Sequence, residues 1–347
     1  MNVIEVESLA DTHFHLRQRE DIMSALIRYA LEGGTDVLGI MPNLKMPIVN
    51  ARSVTTYRDV AARLVPLGRA MRFIPFVMIT EDTTEEDIDE CVSAGIVDGK
   101  VYPYLRTTMS EHGVKHYGKI LHIIKYCGTV GMKCHFHPEH PSPIFTNRDA
   151  EFCFLPLMRL FLEESEAIIV WEHGTDARCI PHWEDMATSG RFFVTLTAHH
   201  LATNEDKTFG DVLATCKPPI KTESDRQALI HLVGRDYPWV MAGTDCAWHP
   251  RERKHVLSGQ CACGDFIPFA LSLYAHALEG LLFTPAGVQI FVNFTSRNAR
   301  RLHKLPASSK PIRLANEPCK IFFSYPVGLE EGLPFWAGQM LNWKIIE

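Results

Sequence analysis

The sequence has little surplus of charge. Its 347 residues carry 35 Lys and Arg against 41 Asp and Glu, a net charge of −6, so the basic footprint that binds a phosphate backbone is missing. Long apolar runs are missing too. The densest stretches, such as 167–171, are strand-sized, far below the ~18 residues of a membrane span. Residues 1–10 hold Glu5 and Glu7 and no apolar core, so no secretory signal is read there. Disorder is excluded because 46% of the residues are hydrophobic, an ordinary globular share. Ten cysteines are scattered without a CxxC pair, which speaks for reduced, buried thiols. Cys261-Ala262-Cys263 is a single CxC and is read as loop thiols. No glycine-rich phosphate fingerprint follows a strand-like segment, which argues against a dinucleotide-binding open sheet. These absences leave a cytoplasmic globular protein with neither nucleic acid nor membrane as a partner.

What is present is an alternation of elements. Nearly continuous apolar runs at 11–15, 36–41, 71–79, 96–102, 132–137, 167–173, 192–199 and 239–245 predict strands buried on both faces. Helical patterns lie between them, over 20–32, 53–64, 83–94 and 117–130, with a Thr and early acids opening the third and a Gly after the fourth. Eight strands alternating with helices predict a (β/α)8 TIM barrel over about residues 8–305. Residues 306–347, rich in Pro and Ser at their start, are read as a short C-terminal extension packing on the barrel, so that 1–347 is one domain.

Most of these strands end in a polar group, at His13/His15, Asn43, Lys100, His137, His173, His199 and Asp245. In a barrel such ends converge on one face, where active sites are built. One strand-end histidine is ordinarily a satisfied or surface side chain; seven polar ends at equivalent places are not independent accidents. In His13-Phe14-His15, residues i and i+2 share a face, so both imidazoles enter the mouth together. Two adjacent neutral imidazoles are favourable mainly when a cation joins them, and nitrogen plus carboxylate donors suit zinc. Lys100 is either an outward, snorkelling lysine or a buried amine of lowered pKa. Beside two metals, a neutral Lys100 amine can be carbamylated by CO2 into a bridging carboxylate. Asp245 is either a helix cap or a general base facing the metal site. Arg17 and Asn43 supply a fork and an amide suited to a substrate carboxylate.

With these residues in place, the chain resembles the amidohydrolase superfamily and, within it, the single-chain class II dihydroorotases. The matching segments are DTHFHLR (11–17), MPNL (41–44), GKVYP (99–103), the Thr-Thr pair at 107–108, HPE (137–139), WEHGT (171–175), LTAHHL (196–201), CKPPIK (216–221) and GTDCAWH (243–249). The resemblance implies two divalent ions, zinc by preference. His13, His15, Lys100 and Asp245 would surround one ion, and a carbamylated Lys100 would bridge to a second held by His137 and His173. It implies Asp245 as the catalytic base. Arg17, Asn43 and His249 would hold the substrate carboxylate, Lys217 and Gly264 would meet the ring edge, and Thr107 and Thr108 would ride on a lid loop. It further implies reversible conversion of dihydroorotate and N-carbamoyl-L-aspartate in de novo pyrimidine biosynthesis, by a homodimer. The chain departs from the family at Met109, where an asparagine is expected, at Pro138 within HPE, at Lys217, and in the shortened 261–264 loop. Two rival readings share parts of this evidence. A hydantoinase or dihydropyrimidinase would keep the metals but has no use for Arg17 and Asn43 together, and a catalytically silent assembly partner would have lost ligands.

Overall fold

The computed structural model describes residues 3–254, 265–308 and 310–346. After β1 (Val3–Glu7) the chain lays down β2 (Leu9–Phe14), β3 (Thr35–Ile40), β4 (Arg72–Pro75), β5 (Val77–Ile79), β6 (Asp98–Val101), β7 (Lys133–Phe136), β8 (Ile169–Trp171), β9 (Phe192–Leu196) and β10 (Val240–Ala242). From β2 to β10 these are the eight parallel staves of a barrel. β4 and β5 are halves of one stave, interrupted at Phe76, the first paired to β3 and the second to β6. The seam between β10 and β2 closes just past the strand end. There Phe14 bridges Cys246, the Asp245 N–H donates to the His13 carbonyl (2.9 Å), and the His15 N–H donates to the Cys246 carbonyl (3.0 Å).

The staves are shorter than the apolar runs that predict them, because the polar residues at the run ends leave the ladder and enter the mouth. One prediction needs correction. The run 192–199 is not strand throughout, since β9 stops at Leu196 and Thr197 caps a short helix, Ala198–Ala202. His199 is therefore helical. The caps explain where the covering helices begin. α1 (Glu20–Glu32) has the predicted bounds. A capping box of Asn50 and Ser53 opens α2 (Ala51–Arg63), and one of Thr84 and Asp87 opens α3 (Glu85–Ser93). α4 (Leu121–Val130) ends at Gly131, whose φ of 77° needs no Cβ.

Side chains along the staves sort by the two-residue period. Leu9, Leu38, Ile169, Trp171, Val240 and Ala242 face the helices and build the outer core. Ala10, Val37, Ile74, Phe76, Val170 and Met241 face inward and meet Ala299 and Leu302, which plug the end opposite the mouth. Two or four residues further along, the same inward face carries Glu172 after Val170, Asp245 after Met241, Lys100 after Asp98, and His137 after His135. On β8 the interior thus changes from apolar to ionisable within two residues, from Val170 to Glu172, and past β10 within four, from Met241 to Asp245.

The extension is tied to the start of the chain. Pro311–Ala315 pairs antiparallel with β1 and, on its other edge, with Lys344–Ile346. Phe335, Leu341 and Trp343 from the extension are buried in the outer core.

Candidate active site

The mouth gathers most of the side chains expected there. His13 Nε2 and His15 Nε2 both approach the same oxygen, Asp245 Oδ1, at 3.2 and 3.0 Å. Donor atoms of these three residues lie within 4.8 Å of one another. His173 lies beyond His13 (ring centroids 5.2 Å, tilted) and His137 beyond His173 (4.5 Å, edge-on). All four imidazoles are buried. Neither nitrogen of His173 has a hydrogen-bond partner among the described residues; nor has His15 Nδ1 or Lys100 Nζ. Buried polar atoms without partners are costly, and they surround the converging donors of His13, His15 and Asp245, nitrogen and carboxylate groups of the kind a divalent cation accepts. The side chains therefore fit the two-metal centre that the resemblance implies. His137 is a partial exception, because its Nε2–H donates to Glu139 (2.6 Å) and only Nδ1 remains for a cation in this conformation.

Electrostatics follow from burial. Desolvation pushes His15 down to about 4 and lowers His13 and His173 as well, so these rings are held neutral, the form that binds metals. Lys100, wholly enclosed, is pushed down to about 8 by the same cause. Burial would raise Asp245, but the neighbouring imidazoles outweigh it and hold the carboxyl well below its usual range. Asp11 goes the other way, raised by burial to about 7 although it accepts bonds from the Thr244 hydroxyl and the Thr244 and His13 N–H groups. These bonds pin β2 to the loop that carries Asp245.

Backbone strain is concentrated at the same place. Arg17, His173 and Asp245 have φ of 69°, 41° and 51°, a region costly for residues with a Cβ. β2 also contains a bulge, three steps from Asp11 to Phe14 against two from Leu38 to Ile40. The bulge presses on Gly39, where a Cβ would overlap the Thr12 carbonyl.

A corner built from Arg17, His249 and Asn43 adjoins the imidazoles. The Arg17 guanidinium donates to the Trp248 carbonyl (2.7 Å) and to His249 Nε2 (3.1 Å). Asn43 faces the same space, its Oδ1 accepting from the Tyr102 hydroxyl (2.9 Å) and its Nδ2 donating to the Thr108 carbonyl (3.1 Å). Thr107 and Thr108 cover an enclosed cavity of about 20 Å³ bounded by His13, His15, Arg17 and Asp245. Met109, next in the chain, instead lines an open vestibule of about 550 Å³ that shares Arg17 and His249. The strap 107–109 thus lies between the two spaces. Lys217 is not on the cavity wall; burial lowers its pKa, with Glu139 acting against that. Gly264 and the 261–264 loop lie outside the described residues.

Sequence reasoning missed Glu172, the hub beneath the mouth. One oxygen accepts from His13 Nδ1–H (2.9 Å) and the Thr195 hydroxyl (2.7 Å), the other meets His135 Nδ1 (2.6 Å), and Lys100 Nζ stands 3.9 Å away. Burial raises Glu172, but Lys100 and His13 overcome it and keep the carboxyl ionised. An acid two places beyond an inward Val170 was the available signal. Tyr102, which orients Asn43, was also missed, because a tyrosine after a strand is unremarkable in sequence.

No protein-family model matches the chain. A probable dihydroorotase of Schizosaccharomyces pombe is 31% identical over 348 residues, covering 98% of each chain. A dihydroorotase of Halorhodospira halophila is 28% identical over 99% of each. Among solved structures, dihydroorotase of Saccharomyces cerevisiae in complex with 5-fluoroorotic acid superposes with a TM-score of 0.91 at 26% identity, covering 100% of this chain and 99% of that one. The L-hydantoinase of Arthrobacter aurescens shares the fold (TM-score 0.84) at 13% identity, covering 99% and 83%. With a relative above 30% identity matched over 98% of each chain, the chain belongs to the dihydroorotase family of metal-dependent cyclic amidohydrolases.

Proposed function

We propose that the chain interconverts dihydroorotate and N-carbamoyl-L-aspartate, the cyclic amide step of de novo pyrimidine biosynthesis. The observation that supports this most directly is the shared cavity: converging donors of His13, His15 and Asp245 on one side and the Arg17–His249 pair on the other. A cyclic amide bearing a carboxylate needs both. His13, His15, Lys100 and Asp245 would hold one ion, and His137 with His173 a second. Zinc suits these donors. Lys100, fully buried and without a hydrogen-bond partner among the described residues, is the amine to carboxylate: its nitrogen would bond to CO2 with loss of a proton, giving a carbamate whose oxygens would serve as metal donors. A homodimer in the cytoplasm rests on likeness to the family.

Bound divalent ions would supply Lewis-acid polarisation and draw a nucleophile from water at neutral pH. Asp245, kept ionised at the centre of the imidazoles, takes the proton of the attacking water and returns it to the departing ring nitrogen. Arg17 and His249 orient the ring through its carboxylate, and Asn43, fixed by Tyr102, adds an amide donor. A cavity of about 20 Å³ holds little more than one water. The strap carrying Thr107 and Thr108 must therefore lift to admit substrate, and the Asn43–Thr108 bond is what it gives up.

The test is ultraviolet-monitored turnover of dihydroorotate, N-carbamoyl-aspartate and dihydrouracil, with metal analysis of the same sample. Dihydroorotate should be strongly preferred; a preference for the uncharged ring would assign the chain to dihydropyrimidinase chemistry. Asp245→Asn should keep its metal and lose roughly 100- to 10,000-fold in turnover. Near-normal turnover in that variant would remove Asp245 as the base.

A further inference from the structure

Beyond the mouth, one buried cluster is left with chemistry unaccounted for. His199 is 1% exposed and neither ring nitrogen has a hydrogen-bond partner among the described residues. It lies against His200 (ring centroids 4.2 Å) with Phe266 and Phe335 around it. His200 Nε2 stands 3.6 Å from Cys216 Sγ, and donor atoms of His199, His200 and Cys216 all lie within 4.8 Å of one another.

We propose that His199, His200 and Cys216 form an additional transition-metal site, a zinc clip separate from the centre at the mouth. A thiolate and two imidazoles are donors that zinc accepts, with a fourth position left for water or another ligand. Tetrahedral spacing of donors is ~3.5 Å, so the side chains must close by roughly 1 Å. His200 is held for this role. Its Nε2–H now donates to the Pro218 carbonyl (3.0 Å), and its Nδ1 meets the Thr197 hydroxyl (2.6 Å). On binding, the Cys216 thiol loses its proton. The His200 proton moves to Nδ1, which then donates to Thr197, the outer partner that metal-bound imidazoles keep. Burial keeps His199 neutral, its pKa pushed down to about 4. The clip would join the helix Ala198–Ala202 to the segment that bears Lys217.

A comparison within the molecule isolates the argument. Asp98, His135 and His303 also bring donors together, but Lys133 Nζ lies 3.2 Å from Asp98 and His135 is bonded on both nitrogens. That triad already contains its cation. Among the described residues, neither nitrogen of His199 has any hydrogen-bond partner.

The test uses the metal-free full chain titrated with Co2+. The ligands proposed at the mouth contain no sulfur, so a near-ultraviolet thiolate-to-cobalt band reports on a cysteine site alone, independently of catalysis. The band should saturate, vanish in Cys216→Ser together with one equivalent of bound metal, and need about 10- to 100-fold more cobalt in His199→Gln. No thiolate band at saturating cobalt would overturn the site. So would a band untouched by either substitution, and His199→Gln supplies that reading even if Cys216→Ser does not fold.

Discussion

The triplet His-Phe-His occurs twice, at 13–15 and at 135–137, each time with its Phe as the last residue of a stave. In the first copy both imidazoles turn Nε2 toward Asp245. In the second, His135 spans Glu172 (2.6 Å) and Asp98 (3.1 Å) and has no nitrogen to spare, so only His137 reaches the mouth. The triplets are identical and their environments are not. β7 is flush against β6, with His135 level with Lys100, and the acid at Asp98 is close by. β2 is bulged against Gly39. What separates the two is the carboxylate that faces Nε2: Asp245, which His13 shares with His15, or Asp98, which Lys133 already pairs. Glu172 touches one histidine from each triplet and couples the two.

The largest expected effect comes from cutting that coupling. Glu172→Gln keeps the shape but weakens the acceptor for His13 Nδ1–H, and should lower cation affinity about 10- to 100-fold in chelator competition. Unchanged affinity would mean that His13 needs no brace. Next, His135→Ala should leave Asp98 and Glu172 short of a partner and cost ~2–4 kcal/mol in denaturant unfolding. Its cation affinity should fall less than that of Glu172→Gln. An equal or greater fall would erase the distinction between the triplets.

A subtler difference concerns pH. His15 titrates near 4 in the metal-free fold against 6.5 for a free imidazole, so between those values the unfolded chain binds the proton first. Stability of the metal-free protein should therefore be intact above about 6.5 and decline as pH falls toward about 4. His15→Gln should flatten that part of the unfolding profile, and an unaltered slope would remove the buried imidazole as its source. The smallest effect is expected outside both triplets. Met109 stands at φ 53°, where asparagine is more at ease. Met109→Asn should raise stability by ~0.5–1 kcal/mol, read from the unfolding midpoint.

How much was legible follows from which interactions are local. The alternation of inward and outward residues, the bounds of α1, the acid-rich start of α3 and the glycine after α4 depend on neighbours a few positions away, so period and capping rules reach them. The placement of His13, His15, Lys100, His137, His173 and Asp245 at the mouth was legible for the same reason, since a polar residue ending a barrel strand is carried to that face. His199 was misplaced because Thr197 ended the strand early by capping a helix, which competes with strand continuation on nearly equal local terms.

The sequence by itself determined the barrel, the histidine pair, Lys100 and Asp245 as mouth residues, and Arg17, Asn43 and His249 as candidates for an anion. Only the tertiary structure decided which nitrogens are spare. Glu172 meets His13 across 159 positions and His135 across 37, and the Asn43 amide is taken by Thr108 from 65 positions away. Side-chain satisfaction in a buried site depends on whatever the fold brings opposite, and no local pattern encodes that.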